Sequence, residues 1–320
     1  MSKYILNRLL IAIPTIIGVT ILIFLAMRVI PGDPLQLIVS ESDGIYVLSE
    51  EELQAVRASL GLDKALHIQY LNWIGQVISG DMGSSFWNKE PISGMILRRG
   101  PISAQIAIMA VLLSWLIGVP IGMLSAMWRN SMMDHLSRVG ITIFIAVPSY
   151  WLGLLIILFT VLVFTWRPPI TIIQFWEDPL GNLSMTLLPA LALGLGLSAA
   201  TARMARSAAL EVLYEDYIRT ARAKGLRESL VVWRHVFKNA MLPVVTTTGL
   251  ALGGLLGGAV SVETAFAVPG LGKLLVQGMT ERDWMMIQNL VLLYGLIYVF
   301  INLIVDLSYA FLDPRIRYES

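Results

Sequence analysis

The amino-acid sequence predicts an all-α polytopic membrane protein with six transmembrane helices. Of its 320 residues, 56% are hydrophobic and only 14% are charged, whereas soluble domains average about 25% charged residues. The mean hydropathy of +0.72 points to the same class. Six windows without any charged residue are each long enough to cross about 30 Å of hydrocarbon at ~1.5 Å per residue.

These six windows are the predicted transmembrane helices of a single domain spanning residues 1–320. A charged side chain at the bilayer centre costs at least about 2.5 kcal/mol, so windows of this length rarely lack charge by chance. The first window has too long an apolar core for a signal peptide, and no small-x-small cleavage site precedes Arg28, which favours an uncleaved helix. The windows are Leu9–Met27, Gly100–Trp128, Val139–Trp166, Pro179–Ala202, Asn239–Val262 and Trp284–Val305.

Lysine and arginine counts predict that both termini are cytoplasmic. With the N-terminus inside, the inner segments hold fourteen of the 23 basic residues, and the two short outer connections hold only Arg167, Lys273 and Arg282. Short loops rich in Lys and Arg stay in the cytoplasm, whereas long loops cross largely regardless of charge. The segment 203–238 is therefore predicted to be cytoplasmic and the long loop 28–99 to be periplasmic.

The periplasmic loop is predicted to contain helices. Residues 49–52 form a capping box, and Gly61 stands where a helix would end. A second apolar cluster, 68–78, is expected to pack beside that helix or on the membrane rim. The loop is either a packing cap or a docking surface for an external partner.

The segment 203–238 is predicted to form a helical hairpin. Its first half is amphipathic, and Glu215 precedes Arg219 by four residues, a spacing that favours an ion pair. Gly225 can adopt the left-handed conformation that ends a helix. The first apolar face comprises Leu210, Leu213, Tyr214, Tyr217, Ile218 and Ala221, and the second apolar row comprises Leu226, Leu230, Trp233, Phe237 and Met241.

Small residues four apart predict close helix contacts in the fourth and fifth windows. Such residues let helix backbones approach where lipid supplies no hydrophobic drive, and they can also line a path that opens and closes. At the cytoplasmic end of the sixth predicted helix, Asn302 and Asp306 are one turn apart and are expected to bond between helices. The small residues are Ala190, Gly194 and Ser198, and Gly249, Gly253, Gly254, Gly257 and Gly258.

The sequence offers no catalytic or metal-binding residues. It has no GxxxxGK[ST] phosphate loop, no HExxH and no GxSxG motif, its three histidines are isolated, and cysteine is absent. A net charge of +1 gives no case for nucleic acid. An ion-coupled carrier usually places ionisable groups in mid-membrane, and the helix centres here have none, so energy for transport would come from another chain.

The chain closely resembles the membrane permease subunits of ABC importers in the dipeptide/oligopeptide/nickel family, which are binding-protein-dependent transport systems. The resemblance runs nearly end to end and implies a type I ABC importer-like fold in a bacterial inner membrane. The residues that carry it are Arg8-Leu-Leu, Pro31-Gly-Asp-Pro34, Leu60-Gly-Leu-Asp63, Gln69-Tyr70, Gly80-Asp-Met-Gly-Ser-Ser85, Glu215-Asp-Tyr-Ile-Arg-Thr-Ala-Arg-Ala-Lys-Gly225, Asn239-Ala-Met-Leu-Pro243, Val262-Glu-Thr-Ala-Phe266, Pro269-Gly-Leu-Gly272, Arg282-Asp283, Asn302, Asp306 and Asp313-Pro-Arg315.

The resemblance implies that the hairpin is the EAA motif, a cytoplasmic loop that seats in a groove on an ATPase subunit. Aligned on Gly225, the E-A-A positions hold Arg219, Thr220 and Ala221, so the acidic residue is replaced. The tyrosines and Ile218 are expected to fill the groove, with basic residues at its rim. An interfacial helix pair held by anionic lipid is the alternative. The expected coupling residues are Tyr214, Glu215, Tyr217, Ile218, Arg219, Thr220, Ala221, Arg222, Lys224 and Gly225.

The resemblance also implies the partners. They are a homologous second permease in a heterodimer, two ATPase subunits that carry ATP and Mg, and a periplasmic or lipid-anchored solute-binding protein. The chain itself would hold no cofactor and would form half of the path for short peptides. Nickel chelates, glutathione or another small solute remain alternatives, as do an ion-coupled secondary carrier and a membrane scaffold.

Overall fold

A computed structural model describes residues 2–29, 63–167, 169 and 171–312. Within these ranges the named secondary-structure elements are all helices. The all-α prediction is therefore confirmed. The α-helices are α1 (Ser2–Val29), α2 (Leu66–Ile78), α3 (Ile92–Met127), α4 (Met132–Ala146), α5 (Ser149–Phe164), α6 (Pro179–Leu213), α7 (Asp216–Ala223), α8 (Glu228–Leu230), α9 (Lys238–Ala265), α10 (Leu271–Thr280) and α11 (Trp284–Leu312), and a π-helical segment, Val231–Phe237, joins α8 to α9.

Four described helices are long and apolar enough to cross a membrane: the spans are Arg8–Arg28 in α1, Ile92–Met127, Pro179–Leu213, and Trp284–Val305 in α11. Two bent pairs raise the number to six if each pair is one span. Helices α4 and α5 meet at 99°, and the helical stretch from Glu228 to Ala265 bends by 57° near residue 256. The six predicted windows correspond to these four spans and two bent pairs.

The third predicted window is two helices rather than one. Helix α4 ends at Val147, which is extended with φ −85° and ψ 122°, and Pro148 precedes α5. The proline lacks an N–H to continue the helix, and its ring disfavours helical geometry at the residue before it. The structure therefore shows a complete break at this proline.

The described chain divides into two compact units, which are treated separately below. The first comprises Met1–Leu9, Arg99–Lys273 and Ile297–Ser320, and the second comprises Leu10–Arg98 and Leu274–Leu296. The prediction of one permease domain stays a prediction.

Helices α3 and α6 pack closely in the first unit because glycines line the contact. A Cβ added to Gly118 would lie 2.5 Å from the backbone oxygen of Ser198, and one added to Gly122 would collide with Ala202. From the other side, a Cβ on Gly194 would lie 3.1 Å from the backbone oxygen of Ala110. The small-residue stripe of the fourth window is thus a helix-packing surface.

The second unit is held by an aromatic cluster around Trp73 of α2. The Trp73 ring packs on Phe24 and Tyr70, and its Nε1 donates a 3.3 Å hydrogen bond to Oδ1 of Asn289. The apolar cluster 68–78 is therefore the helix α2, and its inner face contacts α1 and α11 within this unit. The predicted capping-box helix at residues 49–61 lies outside the described residues.

Candidate coupling surface and cavity

The hairpin begins where α6 ends at Leu213 and continues as the eight-residue helix α7. Gly225 follows with φ +76°, a left-handed conformation that favours glycine. The turn after the first helix is therefore where the sequence predicts it. In the second half, α8, the π-helical segment and α9 follow one another directly, so the helix after the turn continues into the fifth predicted window and bends only near residue 256.

One face of α7 is buried inside this protein. Ile218 is fully buried and Ala221 nearly so, packed with Val231 and Val236 of the π-helical segment and with Ala205 of α6. Ile218 therefore has no exposed side-chain surface in this structure with which to fill a groove on an ATPase, and the coupling role of Ile218 and Ala221 stays a prediction. An amphipathic stripe shows that a face is apolar, and here the chain itself covers it.

The opposite face of α7 is exposed and charged. Arg219 pairs with Asp216 at 3.2 Å, one turn earlier in α7, rather than with Glu215. Glu215 occupies the N-cap position of α7, which removes it from the i,i+4 geometry that the sequence suggested. Arg222 reaches across the turn and donates two hydrogen bonds to the Glu228 carboxylate at 2.7 and 3.1 Å, which raises the pKa of Arg222.

Two tyrosines, one just before α7 and one in its first turn, are tied to other parts of the chain by their hydroxyl groups. Tyr214 is 58% exposed and accepts a hydrogen bond from Arg129, while Tyr217 is 43% exposed and accepts one from Nδ2 of Asn239 at 3.2 Å. Partial burial raises the pKa of Tyr217, so its hydroxyl stays neutral. Both rings thus present apolar surface in fixed positions.

The second apolar row, which begins at Leu226, also supplies exposed surface, although none of its residues is among the expected coupling residues. Trp233 is 65% exposed, and it lines a surface depression of about 510 Å³ with Leu226, Leu230 and Gly225. The Trp233 ring rests on Phe237 with 5.2 Å between ring centroids. The sequence contained this signal as an apolar row, but the row alone did not tell which side faces out.

A buried ion pair lies in the same unit, and sequence reasoning missed it. The Asp134 carboxylate is fully buried and accepts two hydrogen bonds from the Arg206 guanidinium, at 2.8 and 2.9 Å. It also accepts a 2.6 Å bond from the Ser125 hydroxyl and a 3.0 Å bond from the Asn130 amide. The pair therefore ties α3, α4 and α6 together. Because 72 residues separate the partners, no local pattern could reveal it.

The glycines of the fifth window separate into packing and open positions. A Cβ on Gly249 would lie 2.6 Å from the Val305 side chain, and one on Gly253 would lie 2.7 Å from the Tyr298 ring. Gly258 faces Leu193 at an ordinary distance of 3.8 Å. A Cβ on Gly254 or Gly257, in contrast, would meet nothing within 4 Å.

The described residues do not test the predicted bond between helices through Asn302 and Asp306. Oδ1 of Asn302 is buried and has no hydrogen-bond partner among the described residues. The Asp306 side chain lies outside the described part of the chain. The bond between helices expected of these two residues stays a prediction.

Glu263 organises the loop that follows α9. Its buried carboxylate accepts hydrogen bonds from the Ser103 hydroxyl at 2.6 Å and from the Gly272 amide at 2.7 Å. The Leu271 amide donates to the same Ser103 hydroxyl at 2.8 Å. A side chain on Gly270 would collide with the Glu263 carboxylate. The motifs 262–266 and 269–272 are thus two parts of one packed polar network.

In the second unit, the Asp283 carboxylate joins two segments of the chain by hydrogen bonds, as the Glu263 carboxylate does in the first unit. Its carboxylate accepts hydrogen bonds from the Ser85 hydroxyl at 2.6 Å and the Phe86 amide at 2.8 Å, and it caps α11 through the Met286 amide at 3.1 Å. Indole Nε1 of Trp87 donates to the Glu281 carbonyl at 2.7 Å. The motifs 80–85 and 282–283 therefore meet in space.

The comparisons with known proteins identify the family. The family model "Binding-protein-dependent transport system inner membrane component" matches residues 118–318, and the N-terminal model of such membrane components matches residues 1–107. This chain belongs to that family. It is a multi-pass membrane permease of a binding-protein-dependent ABC importer, which confirms the predicted function class and the bacterial inner membrane location.

Two curated relatives align with the whole chain. The glutathione transport system permease protein GsiC of Salmonella typhimurium is 40% identical over 319 residues, and a putative peptide transport system permease of Brucella abortus is 38% identical over 323 residues. In both cases the alignment covers 100% of each chain.

The solved structures support the fold. One described as inward-facing MetNI methionine ABC transporter is 18% identical, with a TM-score of 0.57 over 68% of this permease and 96% of that chain. This likeness shows the type I importer fold that the sequence predicts, and only the fold.

Proposed function

We propose that this permease forms half of the translocation path for short peptides and is driven by two separate ATPase chains that bind ATP and Mg. The observation that carries the proposal is the two-sided hairpin. One side of α7 is buried through Ile218, while the other side exposes Tyr217 and Arg219, and Trp233 is exposed after the turn. A segment packed rigidly on its own bundle can transmit the motion of a partner that grips its outer side.

The exposed side has the chemistry of a protein interface. Aromatic residues and arginine carry most binding energy at such surfaces, and the depression around Trp233 gives a partner's apolar side chain a place to seat. Arg219 and Lys224 supply positive charge for acidic groups at the rim of an ATPase groove. The buried positions Ile218 and Ala221 belong to the coupling unit as the contacts that hold α7 in place.

The remaining partners follow from the type of transporter. We expect a homologous second permease, giving a heterodimer, and a periplasmic or lipid-anchored protein that delivers the solute. The curated relatives are named for peptide and glutathione transport. Glutathione is itself a modified tripeptide, so the 40% identical relative favours it as the second candidate substrate.

The coupling surface is tested with matched tryptophan variants. Trp233→Ala removes an exposed ring of the hairpin, and Trp176→Ala removes a ring of similar exposure, 69%, in the connection before α6. Purified complexes are assayed for retained ATPase subunits and for ATP hydrolysis stimulated by the loaded binding protein. We expect Trp233→Ala to weaken ATPase association at least tenfold, as truncation of an interface hot spot does, and Trp176→Ala to leave it unchanged.

The same preparation tests the substrate. Complexes in liposomes take up labelled tripeptides or glutathione in the presence of ATP, and an ion gradient without ATP produces no uptake. Equal ATPase retention in both tryptophan variants contradicts the coupling surface, and gradient-driven uptake by the permease alone contradicts an ATP-driven importer.

A further inference from the structure

A cavity of about 360 Å³ lies between α6 and α9 in the first unit. Four hydroxyl-bearing residues and one arginine line it together with apolar side chains. The lining residues are Leu197, Ala200, Thr201, Arg203, Met204, Ser207, Thr247, Thr248 and Ala251. It is thus a largely apolar concavity that also carries four hydroxyl groups and one guanidinium.

The hydroxyl groups of this cavity retain hydrogen-bonding capacity. Thr247 and Thr248 donate to carbonyl groups one turn earlier in α9, at 2.9 and 2.7 Å, so their oxygen lone pairs can still accept. Oγ1 of Thr201, which is 2% exposed, has no hydrogen-bond partner within the described part of the chain. Burying a hydroxyl without a partner is unfavourable, which indicates a group that is satisfied only when something else is present.

The charge of the cavity is one-sided. Arg203 is exposed and forms no ion pair with any described residue. None of the nine lining residues is acidic. A positively charged group entering the cavity therefore meets no counter-charge, whereas a carboxylate meets a guanidinium that can donate two hydrogen bonds to it.

The position of the cavity also disfavours lipid as its occupant. Arg203 directly follows the fourth charge-free window, and Thr247 is eight residues inside the fifth, about 12 Å along the helix. Polar stripes at this depth usually face a bundle interior or a water-filled path. The same face of α9 continues toward the opposite end through Ala251 and Gly254, where a Cβ would find open space.

We propose that this cavity is a binding station for the carboxylate of the passing solute, with Arg203 as the charged contact and Thr201 as the hydroxyl contact. The proposal rests on the proposed transport function and narrows it: solutes with a free carboxylate, such as peptides, are favoured at the cytoplasmic end of the path. Solutes without a carboxylate lose the contact with Arg203 and keep the contacts with the hydroxyl and apolar groups of the cavity.

The test compares Arg203→Gln with Arg203→Lys and with Lys238→Gln, an exposed residue that loses the same charge outside the cavity. Each complex is reconstituted with its ATPases and binding protein. Uptake is measured for trialanine and glutathione and for the C-terminal amide of each. Every rate is divided by the wild-type rate for the same solute, which cancels preferences of the binding protein.

We expect Arg203→Gln to lower uptake of the free trialanine acid roughly fivefold, because a charge-assisted hydrogen bond is lost in a partly hydrated site. Uptake of trialanine amide changes less than twofold in Arg203→Gln, whereas uptake of glutathione amide is still lowered, because that amide keeps a second carboxylate. Arg203→Lys retains most activity. Lys238→Gln changes none of these ratios. Stimulated ATP hydrolysis stays near wild type in Arg203→Gln, which separates a solute contact from a coupling defect.

Three results overturn the proposed station alone, and a fourth overturns the proposed function with it. Equal losses for acid and amide make Arg203 a general structural residue. Unchanged uptake of every solute means that the charge of Arg203 contributes only to the orientation of the chain in the membrane. A defect that appears only in vesicles with anionic lipid assigns Arg203 to a lipid headgroup. Absence of ATP-driven uptake in the wild-type complex for all solutes overturns the proposed function itself, and the station with it.

Discussion

Removing the buried carboxylate of the Asp134–Arg206 pair should destabilise the permease strongly. Asp134→Asn leaves the Arg206 guanidinium, whose side chain is only 18% exposed, without the anion that satisfies two of its donors. Breaking one partner of a buried pair costs about 3–5 kcal/mol, because the remaining charge stays buried without compensation. We therefore expect a loss of about 3–5 kcal/mol in the free energy of unfolding.

The reverse change has a different expected cost. Arg138 is 3.8 Å from Asp134 and half exposed, so in Arg206→Met it can still partly compensate the carboxylate. We expect Arg206→Met to cost less than Asp134→Asn, and the double variant Asp134→Leu with Arg206→Met to recover much of the loss, since apolar replacement of a buried pair is often close to neutral. The assay is equilibrium unfolding of the purified permease in mixed detergent micelles.

Asp216→Asn is the matched control, because that carboxylate is 94% exposed and pairs only with the exposed Arg219. Exposed pairs contribute about 0–1 kcal/mol. If Asp134→Asn costs no more than this control, or if the losses of Asp134→Leu and Arg206→Met simply add in a double-mutant cycle, the ion pair does not hold α3, α4 and α6 together.

Three further predictions concern glycines and one capping carboxylate. Gly249→Ala should lower the free energy of unfolding by about 1–3 kcal/mol, because its Cβ would overlap a valine of the last helix. Gly254→Ala should be neutral or stabilising, because its Cβ meets nothing within 4 Å. Equal effects of the two variants would contradict the packing assignment. Asp283→Asn should accelerate amide hydrogen exchange at Phe86, whose N–H loses a charged acceptor, and unchanged protection would mean that this bond is not formed. Gly225→Ala should weaken ATPase retention by the complex through a strain of about 1 kcal/mol at φ +76°, and retention equal to wild type would show that the turn does not depend on glycine.

The sequence predicts the helical class and the approximate spans because charge and hydropathy act locally. Hydrocarbon excludes charge, so the charge-free windows locate helices without knowledge of their neighbours. A second local signal, the conformational freedom of glycine, places the hairpin turn at Gly225, where a left-handed φ is observed. The break at Pro148 is also local, since a proline restricts the residue before it, but the angle of 99° depends on what each helix packs against.

The parts that the sequence does not predict depend on contacts between distant segments. The apolar face of α7 could have faced a partner, a membrane or its own chain, and only the packing of Ile218 on Val231 and Ala205 decides among these. Likewise, Asp134 and Arg206 are unremarkable as separate charges near the ends of two windows. Their pairing requires three helices to converge, which a one-dimensional pattern does not encode.

The unbroken helix from the π-helical segment into α9 has a mechanical consequence. Trp233 on the coupling surface and Thr247 in the cavity wall stand on one continuous helical rod, fourteen residues and about 20 Å apart. The helix continues from one residue to the other, with Pro243 between them, so we expect a displacement of its cytoplasmic end to reach the cavity wall. The proposed coupling surface and the proposed solute station would then move together, and the packing of Ile218 on Val231 and Val236 is one of the contacts that hold this helix.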